Sequence, residues 1–178
     1  FSSGFLHAAE LSVFQAKKEV YRFCELSHRM FNFVPALIIE TDRKEFQNIV
    51  ERVSKYEEIT DRVEVEITTF LIKISRNQLS QHSAEELRRM RLICSEAEKI
   101  GDVCFKMATL LSDKKSEKVY FTPAQRSELF EMFKLTNTAF ELMLDGVHWP
   151  QVDEDLSVRG MLRGWKYPDA VPPSVAAE

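Results

Sequence analysis

Apolar and small residues recur at alternating steps of three and four along most of this chain, and such a repeat commits each stretch to a helix with one buried stripe. The first stripe runs through Leu6, Ala9, Val13, Ala16, Val20, Phe23, Ser27, Met30, Val34 and Leu37. Pro35 is expected to kink that helix near its end. Thr41-Asp42, with Glu45 three residues beyond Asp42, supplies the N-cap of a second helix. Its stripe is Phe46, Ile49, Val53, Tyr56, Thr60, Val63, Ile67, Phe70 and Ile74, ending near Arg76-Asn77.

Ser83-Ala84-Glu85-Glu86 fits a capping box and predicts the start of a third helix. Leu87, Met90, Cys94, Ala97, Gly101, Cys104, Ala108 and Leu111 form its stripe. Residues Asp113 to Lys118 read as a polar linker. Thr122-Pro123 then opens a fourth helix, with Pro at the first helical position. It carries Leu129, Met132, Phe133, Thr136, Ala139, Phe140 and Met143 to a stop near Gly146.

Each stripe must be covered by its neighbours, and short connections make successive helices antiparallel. The expected fold is all-α, an elongated antiparallel bundle of three to four long helices over residues 5–147. Gly and Pro concentrate beyond Gly146, so residues 148–178 are expected to form an irregular tail with at most a short helix around Asp155 to Arg163.

A chain of 178 residues is long enough to bury one core. Its net charge of −4 offers no general attraction for nucleic acid. The run Arg88-Arg89-Met90-Arg91 is balanced by Glu85 and Glu86 and reads as a solvated face. Cys24, Cys94 and Cys104 show no CxxC, and an odd number cannot all pair within the chain, which favours a reducing compartment. The longest apolar stretch, Phe33 to Ile39, falls far short of the roughly 20 residues that cross a bilayer, so direct membrane insertion is not expected. The chain opens Phe1-Ser2-Ser3-Gly4 rather than with Met, as a piece of something longer would.

Two carboxylate pairs stand out. Glu57 with Asp61, and Glu98 with Asp102, each sit four residues apart on one helix face. Each pair directly follows two stripe residues: Tyr56 and Thr60 in one helix, Ala97 and Gly101 in the other. This shared phase lets packed helices bring all four carboxylates together, and the small residues Ala97 and Gly101 allow close approach. Carboxylate oxygens suit a divalent or iron-type metal, with Mg, Ca, Mn, Fe and Zn indistinguishable from sequence. Without a cation, like charges at this spacing repel by a few tenths of a kcal/mol.

The plainer reading is solvated charge, since acidic pairs four apart arise often by chance among 28 acidic residues. Glu19, Glu64 and Glu66 belong to that background. Cys24 and His28 share the phase on the first helix as softer ligand candidates, beside their ordinary reading as core thiol and helical His. Glu25-Leu26-Ser27-His28 matches the Glu-x-x-His of carboxylate-bridged di-iron bundles, but such a metalloenzyme needs a second copy, and the chain has none. Gly-x-Ser-x-Gly, a phosphate-cradling Gly-rich loop and His-Glu-x-x-His are absent, so no enzyme is expected. A metal-free helical adaptor, docking a partner helix on its Phe and Met side chains, is the alternative from the binding-module class. No basic pocket is evident, and phosphate is not expected to touch this chain.

Ser95-Glu96-Ala97-Glu98-Lys99-Ile100-Gly101-Asp102 resembles the acidic-Ile-Gly-Asp signature of the PhoU family, and Tyr56-Glu57-Glu58-Ile59-Thr60-Asp61-Arg62 resembles its companion motif. Phe121-Thr122-Pro123-Ala124-Gln125-Arg126 is similar to the PhoU-like domain that follows the membrane part of bacterial sodium/phosphate cotransporter homologues. The resemblance spans roughly Leu6 to Val147. It implies a three-helix PhoU repeat, a cytoplasmic location at the inner face of the cell membrane, and regulation of phosphate uptake. It also implies metal ligation by Glu57, Asp61, Glu98 and Asp102, and a membrane transporter portion or another phosphate-uptake protein as partner. A full PhoU protein has two such repeats and four motifs. The one pair here implies either that a complete cluster draws on a second protomer, as in a homodimer, or that only a small or weak site forms.

Overall fold

The computed structural model describes residues 2–147, with side chains from 10 to 146. Five helices follow one another: α1 (Ser2–Phe31), α2 (Phe33–Ile39), α3 (Arg43–Ser75), α4 (Gln81–Ser116) and α5 (Pro123–Val147). No strand occurs among the described residues, and none of their helices is long and apolar enough to cross a membrane. The expected tail of 148–178 lies outside the described residues.

The first stripe folds as two helices rather than one kinked helix. Pro35 lacks an N–H, and its ring collides with the carbonyl four residues back, that of Phe31. The helix therefore breaks one turn upstream of Pro35, between Phe31 and Phe33, and Pro35 sits in the first turn of α2, where a missing N–H is tolerated. Asn32 still donates its N–H to the His28 carbonyl at 3.1 Å. Phe33, Val34 and Leu37 keep the stripe buried across the break.

At the start of α3, Asp42 Oδ1 accepts from the N–H groups of Lys44 and Glu45 at 2.8 and 2.9 Å. The reciprocal bond comes from upstream: Glu40 accepts the Asp42 N–H at 2.8 Å, while Glu45 turns to Asn48. The predicted capping box at Ser83 is displaced by three residues. Ser80 is the N-cap of α4, and its Oγ accepts the Ser83 N–H at 3.1 Å. Ser83 itself is buried and donates to the Glu10 carboxylate of α1. The polar run Asp113 to Lys118 mostly continues α4, which ends at Ser116.

Contacts between numbered positions fix the directions. Ser83 meets Glu10, Glu86 meets Lys17, and Lys115 meets the Glu40 carbonyl, so α4 runs alongside α1 in the same sense. Lys115 also lies over Phe46, and Gly101 faces Thr60, so α3 runs opposite to α4. Helices α1, α3 and α4 pack against one another as a three-helix core. α5 runs antiparallel to α1: Phe31 meets Phe133 and Phe140 in tilted ring contacts at 5.6 and 5.3 Å between centroids, while the earlier His28 meets the later Asn137.

The expected stripes of α3 and α4 are buried almost throughout. On α5 the expectation holds for only one flank. Phe133 and Phe140 are buried and Leu129 and Met143 half-buried, whereas Met132, Thr136 and Ala139 are exposed. The reason is that, among the described residues, α5 packs against α1 and α2 and so has cover from them on one side.

Candidate metal centre

Midway along the α3–α4 seam, Gly101 is buried opposite Thr60. A Cβ on Gly101 would stand 3.2 Å from Thr60 Oγ1 and 3.6 Å from the Met30 sulfur. The missing side chain is what lets the two helices approach at this level. Thr60 is itself held, its hydroxyl donating to the Glu57 carbonyl at 2.9 Å. Asp61 and Asp102, the residues immediately following Thr60 and Gly101, are thereby set beside each other at the mouth of the seam.

Glu57, Asp61 and Asp102 each offer a carboxylate oxygen within 4.8 Å of the other two. Two oxygens on one ion stand apart by at most twice the bond to it, about 4.2 Å for magnesium and about 4.6–5.2 Å for calcium. Three oxygens must draw in closer than this pairwise limit to share one ion, so the trio would hold a calcium-sized or smaller divalent ion only after rotamer adjustment. Asp61 is exposed and the other two are half-buried, so solvent reaches the remaining coordination positions.

The electrostatics fit a centre short of positive charge. Partial burial pushes the Glu57 carboxyl above its usual range, reinforced by the charges of Asp61, Asp102 and Glu58. Glu98 is raised in the same way, first by burial and then by Asp102, Asp61 and Glu64, with Lys99 opposing. Glu98 therefore senses the same charges but is not one of the converging trio. Lys106 pairs with one member of the trio, its Nζ 3.6 Å from Asp102 Oδ2 in an exposed i,i+4 pair. Such a pair is worth at most about 1 kcal/mol and leaves the repulsion around Glu57 in place.

The softer ligand candidates lie elsewhere. Cys24 is fully buried in the core, and burial pushes its thiol, like those of Cys94 and Cys104, up to about 12. His28 faces α5 instead, with Nε2 2.6 Å from Asn137 Oδ1 and its ring stacked 5.0 Å from Phe140. Two residues assigned to solvated background are not free of structure. Glu19 is half-buried and pairs with Arg22 at 2.9 Å. Glu64 is half-buried, accepts from Thr68 and faces Glu98. The signal for Glu64 was present in the sequence: Glu57, Asp61 and Glu64 follow steps of four and three on one face of α3.

The trio thus joins two acidic motifs from facing turns of adjacent helices. The family model for the PhoU domain matches residues 20–111, which run from the middle of α1 almost to the end of α4 and make up just over half of the chain. The matched segment contains both motifs, the C-terminal part of α1, all of α2 and α3, and most of α4. No curated protein matches the chain, and no solved structure does. PhoU domains are helical bundles with a regulatory rather than enzymatic part in phosphate homeostasis. With both motifs inside the match, and the helices that carry them packed as one core, this chain belongs to the PhoU family.

Proposed function

We propose that this chain is the regulatory domain of a sodium-dependent phosphate transport system, cytoplasmic and held at the inner face of the membrane as part of a longer protein. In this reading a divalent metal bound by Glu57, Asp61 and Asp102, with Glu98 beside them, clamps α3 to α4. The clamp fixes the bundle surface that contacts the transporter portion. The observation carrying the reading is the convergence of one oxygen each from Glu57, Asp61 and Asp102 within 4.8 Å, across the Gly101–Thr60 contact. Four carboxylates on two helices repel one another until a cation arrives, so the folded bundle is a better ligand than the unfolded chain, and ion binding adds to its stability.

The test is elemental analysis of untagged protein purified without added metal, beside the Glu57, Asp61, Glu98 and Asp102 quadruple alanine variant. Stoichiometric divalent metal that disappears in the variant is the expected result. Absence of metal even after reconstitution overturns the metal-coupled form. In the intact transporter, Glu57→Ala with Asp102→Ala should abolish regulation of phosphate uptake.

A second reading, a metal-free adaptor, draws on α5. Met132, Leu135 and Leu142 are 64%, 71% and 68% exposed. With Ala139 they follow steps of three, four and three along an uncovered flank, the spacing of a helix-docking seam. Partner binding that survives both chelation and loss of the four carboxylates would select this reading over the first.

A further inference from the structure

One end of the bundle holds a cavity of about 350 Å³, between the α2–α3 corner and the α4–α5 corner. That volume lies at the small end of ligand pockets. Leu37, Phe46 and Leu111 form its apolar inner wall. The chain then leaves α4 by a backbone turn that brings the rim over this wall. The Val119 N–H reaches the Lys114 carbonyl at 3.0 Å and the Lys118 N–H the Lys115 carbonyl at 3.2 Å, with Lys118 at a φ of 58°. This double bond pattern with a left-handed residue is a Schellman motif. It leaves Val119 and Tyr120 at the cavity mouth, 50% and 74% exposed.

Three cations border this apolar space: Lys114, Lys115 and Arg126. Lys115 is engaged, donating to the Glu40 carbonyl at 2.8 Å with its ammonium 3.9 Å from the Phe46 ring centroid. Lys114 lies 4.1 Å over the Phe121 ring. Neither Lys114 nor Arg126 forms an ion pair with a carboxylate among the described residues. The one acidic side chain in the lining, Glu40, already accepts the Asp42 N–H. An excess of positive charge is thus gathered on an apolar cavity in a chain whose net charge is −4. A basic pocket is not legible from sequence, because its members come from the last turn of α4 and the first turn of α5, on either side of the turn at Lys118.

We propose that this cavity binds a small amphipathic anion, its apolar body against Leu37, Phe46 and Leu111 and its carboxylate or phosphate head between Lys114 and Arg126. An apolar body alone leaves the two cations unanswered, and a bare anion leaves the wall wet, so the two parts of the ligand act together. The Phe121 ring beneath Lys114 and the Phe46 ring beneath Lys115 hold these two ammonium groups at the cavity before any ligand arrives.

The experiment is an amide-resolved NMR titration of the full chain with decanoate below its micelle concentration. Decyl phosphate, decanol and inorganic phosphate are titrated in parallel. Saturable shifts at Val119, Tyr120 and Arg126 are expected with decanoate or decyl phosphate, and whichever binds tighter identifies the head group. Decanol and inorganic phosphate should bind at least tenfold more weakly. Lys114→Gln with Arg126→Gln should weaken the better anion at least tenfold while leaving the amide fingerprint of α1 and α3 unchanged. Equal binding of decanol, equal binding of inorganic phosphate, an unaffected double variant, or no saturable shift with either amphipathic anion would each overturn the proposal.

Discussion

Glu57 and Glu98 are carboxylates whose folded surroundings oppose their charge, and the sign of their contribution follows directly. Folding raises both above the ordinary value of 4.5. From 4.5 up to the raised values, the native state holds more protons than the unfolded chain, so stability falls as pH rises through that window and returns on acidification. Glu57→Gln combined with Glu98→Gln should therefore melt higher than the parent at pH 7 in chelator, with the gap closing towards pH 4.5. Saturating manganese or calcium should reverse the order, since only the parent keeps its full ligand set; calorimetry at both pH values, with and without the ion, reads this. Gly101 makes a second residue-scale prediction. Alanine is the better helix former by about 1 kcal/mol, yet its Cβ would press on Thr60 Oγ1 at 3.2 Å, and that hydroxyl is tied to the Glu57 carbonyl. We expect Gly101→Ala to destabilise by about 1 kcal/mol net, because small-to-large changes in a packed seam cost typically 1–3 kcal/mol. In a Thr60→Ala background the same change should be stabilising, a sign inversion visible in a urea double-mutant cycle.

At the scale of elements, the helix ends separate what local sequence decides from what it leaves open. Asp42 was legible as an N-cap because its carboxylate needs only the next few N–H groups of its own chain. Asp42→Ala should cost about 1 kcal/mol in urea unfolding. Ser80 and Ser83 carry the same chemistry, and nothing local chooses between them; the choice follows from Ser83 being buried against Glu10 of α1. The α4 terminus misled for a related reason. Its run of charged residues reads as linker, but Lys115 lies over the ring of Phe46, from the start of α3, and Lys114 over Phe121 just beyond the helix, contacts that a window on the run itself does not contain. Lys118 takes the left-handed position usually given to Gly. Lys118→Gly should stabilise by about 0.5–1 kcal/mol, the relief of left-handed strain outweighing the greater entropy of Gly in the unfolded chain. Chemical denaturation of that variant would show a midpoint shift without a change in slope.

At the scale of the molecule, α1, α3 and α4 cover one another, while among the described residues α5 is held by α1 and α2. Native-state hydrogen exchange should accordingly show α5 amides opening at lower free energy than those of α3 and α4, and divalent ion should slow exchange mainly in α3 and α4. The three-and-four periodicity was enough to determine the helical class, the stripes of α3 and α4, and the shared phase of the two acidic motifs, because periodicity and phase are properties of a single helix. Only the tertiary structure decided which carboxylates meet. Glu57, Asp61 and Asp102 converge because Gly101 lets α4 approach Thr60 at one level of the seam, and Glu98 lies a turn before Asp102, outside that trio. The same limit explains His28, which shares the phase of the acidic motifs yet is drawn to Asn137 and Phe140 when α5 docks on α1. It also explains the cationic cavity, which exists only where two helix corners are packed together. A sequence sets the face on which a side chain stands, whereas the neighbour that face receives depends on how the other helices share a limited buried surface.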